Sequence, residues 1–302
     1  MPSRTLNIKV PATTANLGPG FDTLGIALQL YNTFTFSFTE ESEIRITSEK
    51  GQDKVQGAMP LIRASFTKFY KATRITKNGA GFSLNIVSDI PIARGLGSSS
   101  TLIVAVLAGL NRMHGKPLKK KDLAHLAAEI EGHPDNTTPA LVGGFVASQF
   151  KDGKVTFIRK KLPSKLKFIL LVPSFEMETK KARQILPDLY SREDAVSNIS
   201  NSSLLTAAFL EGEYSMIGQF LEDRIHQPYR SQLLPELFDV INAGKKAGAL
   251  GGWLSGSGST ICCITLDRAA SVAQAMKRAF NKSREGGNVK ILAADNEGVV
   301  FV

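Results

Sequence analysis

The chain has 302 residues, a formal net charge of +10, 43% hydrophobic residues and 21% charged residues. That balance excludes a disordered polypeptide, leaves ample apolar material for a core, and at this length favours about two domains of roughly 150 residues each. Residues 1–10 lack the apolar core of a signal peptide, and the longest nearly pure apolar run (102–110, LIVAVLAGL) is too short to cross a bilayer, so a cytoplasmic protein with no membrane partner is expected.

Strand alternation begins at residues 5–10 (TLNIKV) and returns at 32–40 (NTFTFSFTE), where Phe34, Phe36 and Phe38 share one face. A third alternating run, 82–90 (FSLNIVSDI), leads into the turn 91–101 (PIARGLGSSST), and a helix is expected from about 99 to 114. A second helix starts near Lys119, with Leu123, Leu126, Ala127 and Ile130 at the i, i+3, i+4, i+7 spacing of one apolar stripe. Residues 143–150 and 154–160 read as a hairpin about Asp152-Gly153. The Lys- and Pro-containing 160–167 precedes a new strand (KFILLVPS), which places a domain boundary near 160: residues 1–160, then 161–302. The second half alternates helices (203–209, 236–247) with strands (259–266, 289–295). A mixed α+β, two-domain protein follows.

Cys262 and Cys263 are neighbours, so in a strand they point to opposite faces and form neither a disulfide nor a metal site. The basic clusters at 116–122, 159–167 and 180–183 do not interleave aromatics with Lys and Arg, so no nucleic-acid partner is expected. Positive charge equally suits an enzyme that handles phosphates and small acids.

The turn 91–101 carries the chemistry. It joins a strand to a helix, and its glycines permit backbone to approach a ligand with no Cβ between them. Amides in a helix's first turn lack internal partners and sit at the positive end of the dipole, so phosphate is the natural guest. A serine hydroxyl there can cap the helix or reach a phosphate-bound Mg²⁺. No Gly-x-x-x-x-Gly-Lys-Ser/Thr occurs, and Ser100 stands where a dinucleotide fingerprint needs its third glycine.

Three stretches, in order, resemble the motifs of the GHMP kinases: VPATTANLGPGFDTLGIAL (10–28), PIARGLGSSS (91–100) and GGWLSGSGST (251–260). The first, together with EGHPDNTTPALVGG (131–144), resembles the branch of that family acting on homoserine. The resemblance implies a ribosomal S5-like amino-terminal domain, a ferredoxin-like carboxy-terminal domain, ATP and Mg²⁺ in the cleft between them, and phosphorylation of the side-chain hydroxyl of L-homoserine for threonine biosynthesis. A homodimer is compatible with it. It further implies that ATP is held by Pro91, Ile92, Ala93, Arg94, Gly95, Leu96, Gly97, Ser98, Ser99, Ser100 and Thr101.

Ser99 and a helical glutamate are the implied Mg²⁺ contacts. Glu129 and Glu131 flank the apolar stripe, and periodicity does not choose between them; alignment of AEIEG to the family picks Glu129. A homoserine zwitterion needs an anion for its ammonium and cations for its carboxylate. Asp22 supplies the first, with Asn16 alongside; Arg183 and Arg230 supply the second; Thr179 and Asn136 match further substrate positions of the family. Ser99, Glu129, Asn136 and Arg183 are the residues expected to carry catalysis. Asn136 stands where related kinases place a catalytic aspartate, so transfer without a strong general base is implied, and His133 reads as a loop histidine that structures its turn. Thr137, Thr138, Ser257 and Ser259 are small polar departures from the family pattern.

Overall fold

A computed structural model describes residues 5–39, 43–48, 57–76, 81–284 and 286–302. The first half builds six strands, β1 (Thr5–Ala15), β2 (Leu24–Thr39), β3 (Ile44–Ser48), β4 (Gly81–Ser88), β5 (Phe145–Lys151) and β6 (Lys154–Lys160). All pair antiparallel except β3 on β4. The long β2 is shared: Leu24–Ile26 pairs with β5, whereas Asn32–Thr39 pairs with β4. The alternation in β2 buries Phe34 and Phe36, and the Phe36 ring lies 5.3 Å from that of Phe82.

Four helices accompany this sheet: α1 (Met59–Thr73), α2 (Ser98–Met113), α3 (Lys120–Glu131) and the short α4 (Thr137–Val142). Residues 100–111 of α2 are buried without a break, so α2 is covered on all sides, with β1 and β2 against it and α1, α3 and α4 around it. Helix α1 is absent from the sequence expectations, although Ile62, Ser65, Phe69 and Tyr70 form its buried stripe at helical spacing.

The second half contributes β7 (Lys167–Val172), helices α5 (Thr179–Gln184), α6 (Arg192–Glu211), α7 (Gln227–Arg230) and α8 (Leu237–Lys246), strands β8 (Gly251–Leu254) and β9 (Ile261–Thr265), then α9 (Ala269–Asn281) and β10 (Asn288–Ala293). The four strands are antiparallel in the order β10-β7-β9-β8, the split βαβ arrangement of a ferredoxin-like layer. The last strand, β11 (Val300–Phe301), leaves this half and pairs with β1. Helix α6 is far longer than the expected 203–209. Its polar amino-terminal turns carry no apolar stripe, and its start is set by Ser191, which accepts from the Asp194 amide at 3.0 Å.

The two sheets share a core. Leu24, Ile26 and Phe145 from the first pack with Phe168, Leu170, Cys262, Ile264 and Trp253 from the second, while Ile169, Leu171 and Cys263 face α8 and α9 on the far side. The adjacent cysteines therefore do face opposite ways, and both are free and buried. No helix among the described residues is long and apolar enough to cross a membrane.

Phe209 of α6 stacks on Phe145 at 4.4 Å in the shared core. Phe209→Ala should cost about 3–5 kcal/mol. In urea titrations, the fluorescence of Trp253, the single tryptophan, and the far-ultraviolet circular dichroism should shift together. Separated transitions would show that the halves do not depend on a common core.

Candidate active site

Three distant segments meet at the carboxyl end of β1. A Cβ on Gly95 would lie 2.0 Å from the Ser255 carbonyl oxygen, and one on Gly97 would lie 2.1 Å from Thr13 Oγ1 and 3.2 Å from Asn136 Oδ1. Both glycines also adopt left-handed φ values of 70° and 69°. The sequence reading assigned these glycines to ligand approach; they line the cavity described below and also make room for the other two motif segments. Hydrogen bonds then fasten the junction. The Thr13 amide donates to Leu96 O at 3.1 Å, Ser255 Oγ to Gly95 O at 2.7 Å, and Gly256 N to Ala15 O at 3.2 Å. Arg94 reaches across to the carbonyls of Pro173 and Ser174, which follow β7.

A cavity of about 390 Å³ opens above this junction, lined by residues 92–99 and by Asn16, Asp22, Glu131, His133, Asn136, Thr179, Arg183 and Arg230. A second hollow of about 160 Å³ shares Ala58, Ile92, Ser98 and Leu102 with it and is walled by Phe34, Ile86, Ile90 and Pro91. Helix α2 has Gly97 at its N-cap and no side-chain cap. The amides of Gly95, Leu96, Gly97, Ser98 and Ser99 donate to no acceptor among the described residues. A row of free donors at the positive end of a helix, facing open space, is an anion receptor. Ser100 and Thr101 do not belong to it. Both are buried, with Ser100 Oγ donating to Glu131 Oε1 at 3.2 Å and Thr101 Oγ1 to Ser98 O at 2.8 Å, so their expected contact with the nucleotide is corrected to support of the turn.

Glu129, the glutamate that the resemblance implied, does not reach this cavity. That carboxylate lies outside the cavity and pairs with Lys68 of α1. Glu131, two residues on and therefore on the other flank of α3, lines the cavity and accepts from Ser99 Oγ at 2.6 Å. Glu131 is the last residue of α3 before Gly132, at φ 93°, turns the chain away, so this carboxylate stands at the helix end nearest the α2 turn.

At the other end of the cavity the loop 16–22 bends through left-handed Asn16, Leu17 and Asp22, conformations costly for non-glycine residues and held here by side-chain bonds. Asn16 Nδ2 donates to Gly256 O at 3.0 Å, and its Oδ1 accepts from the Asp22 amide at 3.1 Å. Asp22 receives both terminal nitrogens of Arg183, at 2.7 and 3.0 Å. Arg230 is almost wholly buried, at 2% exposure, yet its partners are neutral: Ala182 O at 2.9 Å, Gly256 O at 3.0 Å and His226 Nδ1 at 3.4 Å. Burial first, and the neighbouring Arg183 second, bring its pKa down to about 10. Thr179 Oγ1 lies 3.2 Å from Ser257 Oγ at the rim. Asn136 is the N-cap residue of α4, and its Oδ1 accepts from Thr13 Oγ1 at 2.7 Å.

Sequence reasoning weighed His133 and Asp135 of HPDN beside Asn136 and set them aside as site residues. Burial opposes charge on the His133 ring, but the hydrogen-bonded Asp135 carboxylate, with Asp22 and Glu131 nearby, pushes its pKa up to about 9. Their hydrogen bond to each other and their place in the cavity wall came only with the fold. Phe21 was missed too, because an aromatic beside a turn glycine reads as packing.

An anion-binding helix start, a hydroxyl–carboxylate pair beside it and a polar pocket of opposed charges define a small-molecule kinase. The profile of the GHMP kinases N terminal domain matches residues 61–144, and that of the GHMP kinases C terminal matches 205–282. The chain belongs to the GHMP kinase family. It is 40% identical to a homoserine kinase from Moorella thermoacetica, over 98% of this chain and 99% of that one, and 39% identical to another from Wolinella succinogenes, over 98% and 99%. The crystal structure of homoserine kinase from Cytophaga hutchinsonii superposes with a TM-score of 0.88 at 29% identity, covering 100% of this chain and 98% of that one.

His133 gives the fold a pH signature. Its folded pKa of about 9 exceeds the ordinary histidine value of 6.5, so its stabilising contribution is complete below about 6.5 and declines as the pH rises through about 9. Urea midpoints of the wild type should fall across that window. Asp135→Asn should flatten the decline, and an unchanged slope would show that the pair does not hold the proton.

Proposed function

We propose that the chain transfers the γ-phosphoryl group of ATP to the side-chain hydroxyl of L-homoserine, giving O-phospho-L-homoserine for threonine biosynthesis. One observation carries this reading: the unpartnered amides of Gly95–Ser99 share a cavity with Asp22, Arg183 and the buried, anion-lacking Arg230. The extent of similarity to homoserine kinases supports it. On this reading residues 1–160 form the nucleotide-binding half, 161–302 supply most of the other, and the enzyme works in the cytoplasm.

The amides of the α2 turn take the phosphates, and the apolar hollow walled by Phe34, Ile86 and Ile90 has the size and character for the base. Ser99 Oγ and Glu131 Oε1, already 2.6 Å apart, would hold Mg²⁺, whose preference is for few carboxylates plus phosphate oxygens. When bound, that ion neutralises charge developing on the β- and γ-phosphates. The substrate carboxylate lies against Arg230 and Arg183, and its ammonium takes Asp22, loosening the internal Asp22–Arg183 pair.

The hydroxyl oxygen then attacks the γ-phosphorus in line as the bond to the β–γ bridging oxygen breaks and ADP leaves. His133 is already protonated at neutral pH and cannot accept the hydroxyl proton, Asp135 is engaged by His133, and Asn136 is an uncharged amide. The proton passes to a phosphate oxygen or water, and the protein contributes position and charge rather than a strong base.

ADP release measured with L-homoserine, mevalonate and galactose should favour homoserine; robust turnover of mevalonate with none of homoserine would overturn the assignment. Glu131→Gln should lower kcat on the order of a hundredfold or more, whereas Glu129→Gln should stay within about threefold of wild type, as expected for an exposed ion pair. The reverse order would return the metal role to Glu129.

A further inference from the structure

The two guanidiniums at the substrate end pose an electrostatic problem. Arg230 has no carboxylate within ion-pair distance among the described residues, and Arg183 raises the cost of its charge. Arg183 is hydrogen-bonded to Asp22, with the Asp135 and Glu131 carboxylates acting on it from farther away, and that balance weakens once a substrate ammonium claims Asp22. A protein anion between the arginines would solve the repulsion but would also occupy the place a substrate carboxylate needs.

Phe21 stands there instead. Its ring centroid lies 5.5 Å from Arg183 Cζ and 5.2 Å from Arg230 Cζ, inside cation–π range for both. The same ring stacks on His226 at 5.3 Å with a 29° interplanar angle. His226 is fully buried, and burial lowers its pKa; its Nε2 bonds to Gly18 O at 2.9 Å and its Nδ1 accepts from Arg230 at 3.4 Å. The ring is therefore fixed from below by an imidazole that also orients Arg230, and along the chain by the strained loop that ends in Asp22.

We propose that Phe21 is a positioning and specificity-determining residue: its ring holds Arg183 and Arg230 side by side as a carboxylate grip. A π face attracts both cations through its quadrupole without neutralising them, so their charge stays available to the ligand. An aliphatic side chain would fill the same volume and leave the arginines to separate. This rests on the homoserine reading given above.

The test compares wild type, Phe21→Leu and Phe21→Tyr on L-homoserine and on its carboxyl-reduced analogue 2-amino-1,4-butanediol. Phe21→Leu should raise KM for homoserine about tenfold while KM for ATP stays within about twofold. The analogue, having no carboxylate to grip, should lose little, so the preference for homoserine over it should drop about tenfold; Phe21→Tyr should restore it. Equal losses on both substrates, or an unchanged homoserine KM in Phe21→Leu, would overturn the proposal. Should Phe21→Leu melt below the assay temperature, Phe21→Met makes the same comparison. Calorimetric titration of L-homoserine separates the two readings: wild type that binds homoserine without turning it over overturns the kinase assignment, while the ratio of wild-type to Phe21→Leu affinity still decides the role of the ring.

Discussion

How closely three chain segments approach one another around Gly95 and Gly97 governs everything else at the site. With any side chain at position 97 the Thr13 hydroxyl would be displaced, and with one at 95 the Ser255 carbonyl would be. Because the Ser255 and Gly258 backbone fills the space at position 95 and the Thr13 and Asn136 side chains fill it at position 97, the first turn of α2 is pressed against β1 and the 255–259 loop. Its amides then have no acceptor among the described residues and line the cavity. The unsatisfied donors are a consequence of packing, and donors so placed suit an anion such as phosphate.

Charge is distributed along the cavity so that each end is selective. At the α2 end the Ser99 hydroxyl and Glu131 are held together by their own hydrogen bond. At the far end Arg230 is desolvated among neutral acceptors, an expensive arrangement whose cost an incoming anion would relieve. Between them His133 keeps a proton at neutral pH, its charge matched by the Asp135 carboxylate, so the pair offers no free base. Arg94 and Asn16 line the same space, but their polar atoms fasten the halves of the protein: Arg94 to the residues after β7, Asn16 to the 255–259 loop.

Much of this was legible in the sequence. Alternation located β1, β2 and β4, the apolar stripe located α3, and the three glycine-bearing motifs marked the segments that converge. The choice between Glu129 and Glu131 was not legible, because both lie beside the stripe and only the direction in which α3 ends decides which one reaches Ser99. Nor was the division of PIARGLGSSST into cavity-lining and buried residues. Ser98 and Ser99 face out and Ser100 and Thr101 face in solely through the rotation of one helical turn against its neighbours.

By itself, the sequence determined strands β1, β2 and β4, the apolar stripe of α3, the mixed α+β class, the opposed faces of Cys262 and Cys263, and which residue types were present to bind phosphate and a zwitterion. Those follow from local spacing, which a chain carries wherever it folds. Tertiary structure alone decided that Asp22 faces Arg183, that Phe21 contacts two guanidiniums, that Glu131 rather than Glu129 meets Ser99, and that β11 crosses back to β1. Each of these depends on the distance between atoms far apart in the chain, and that distance is fixed only when the shared core between the two sheets closes.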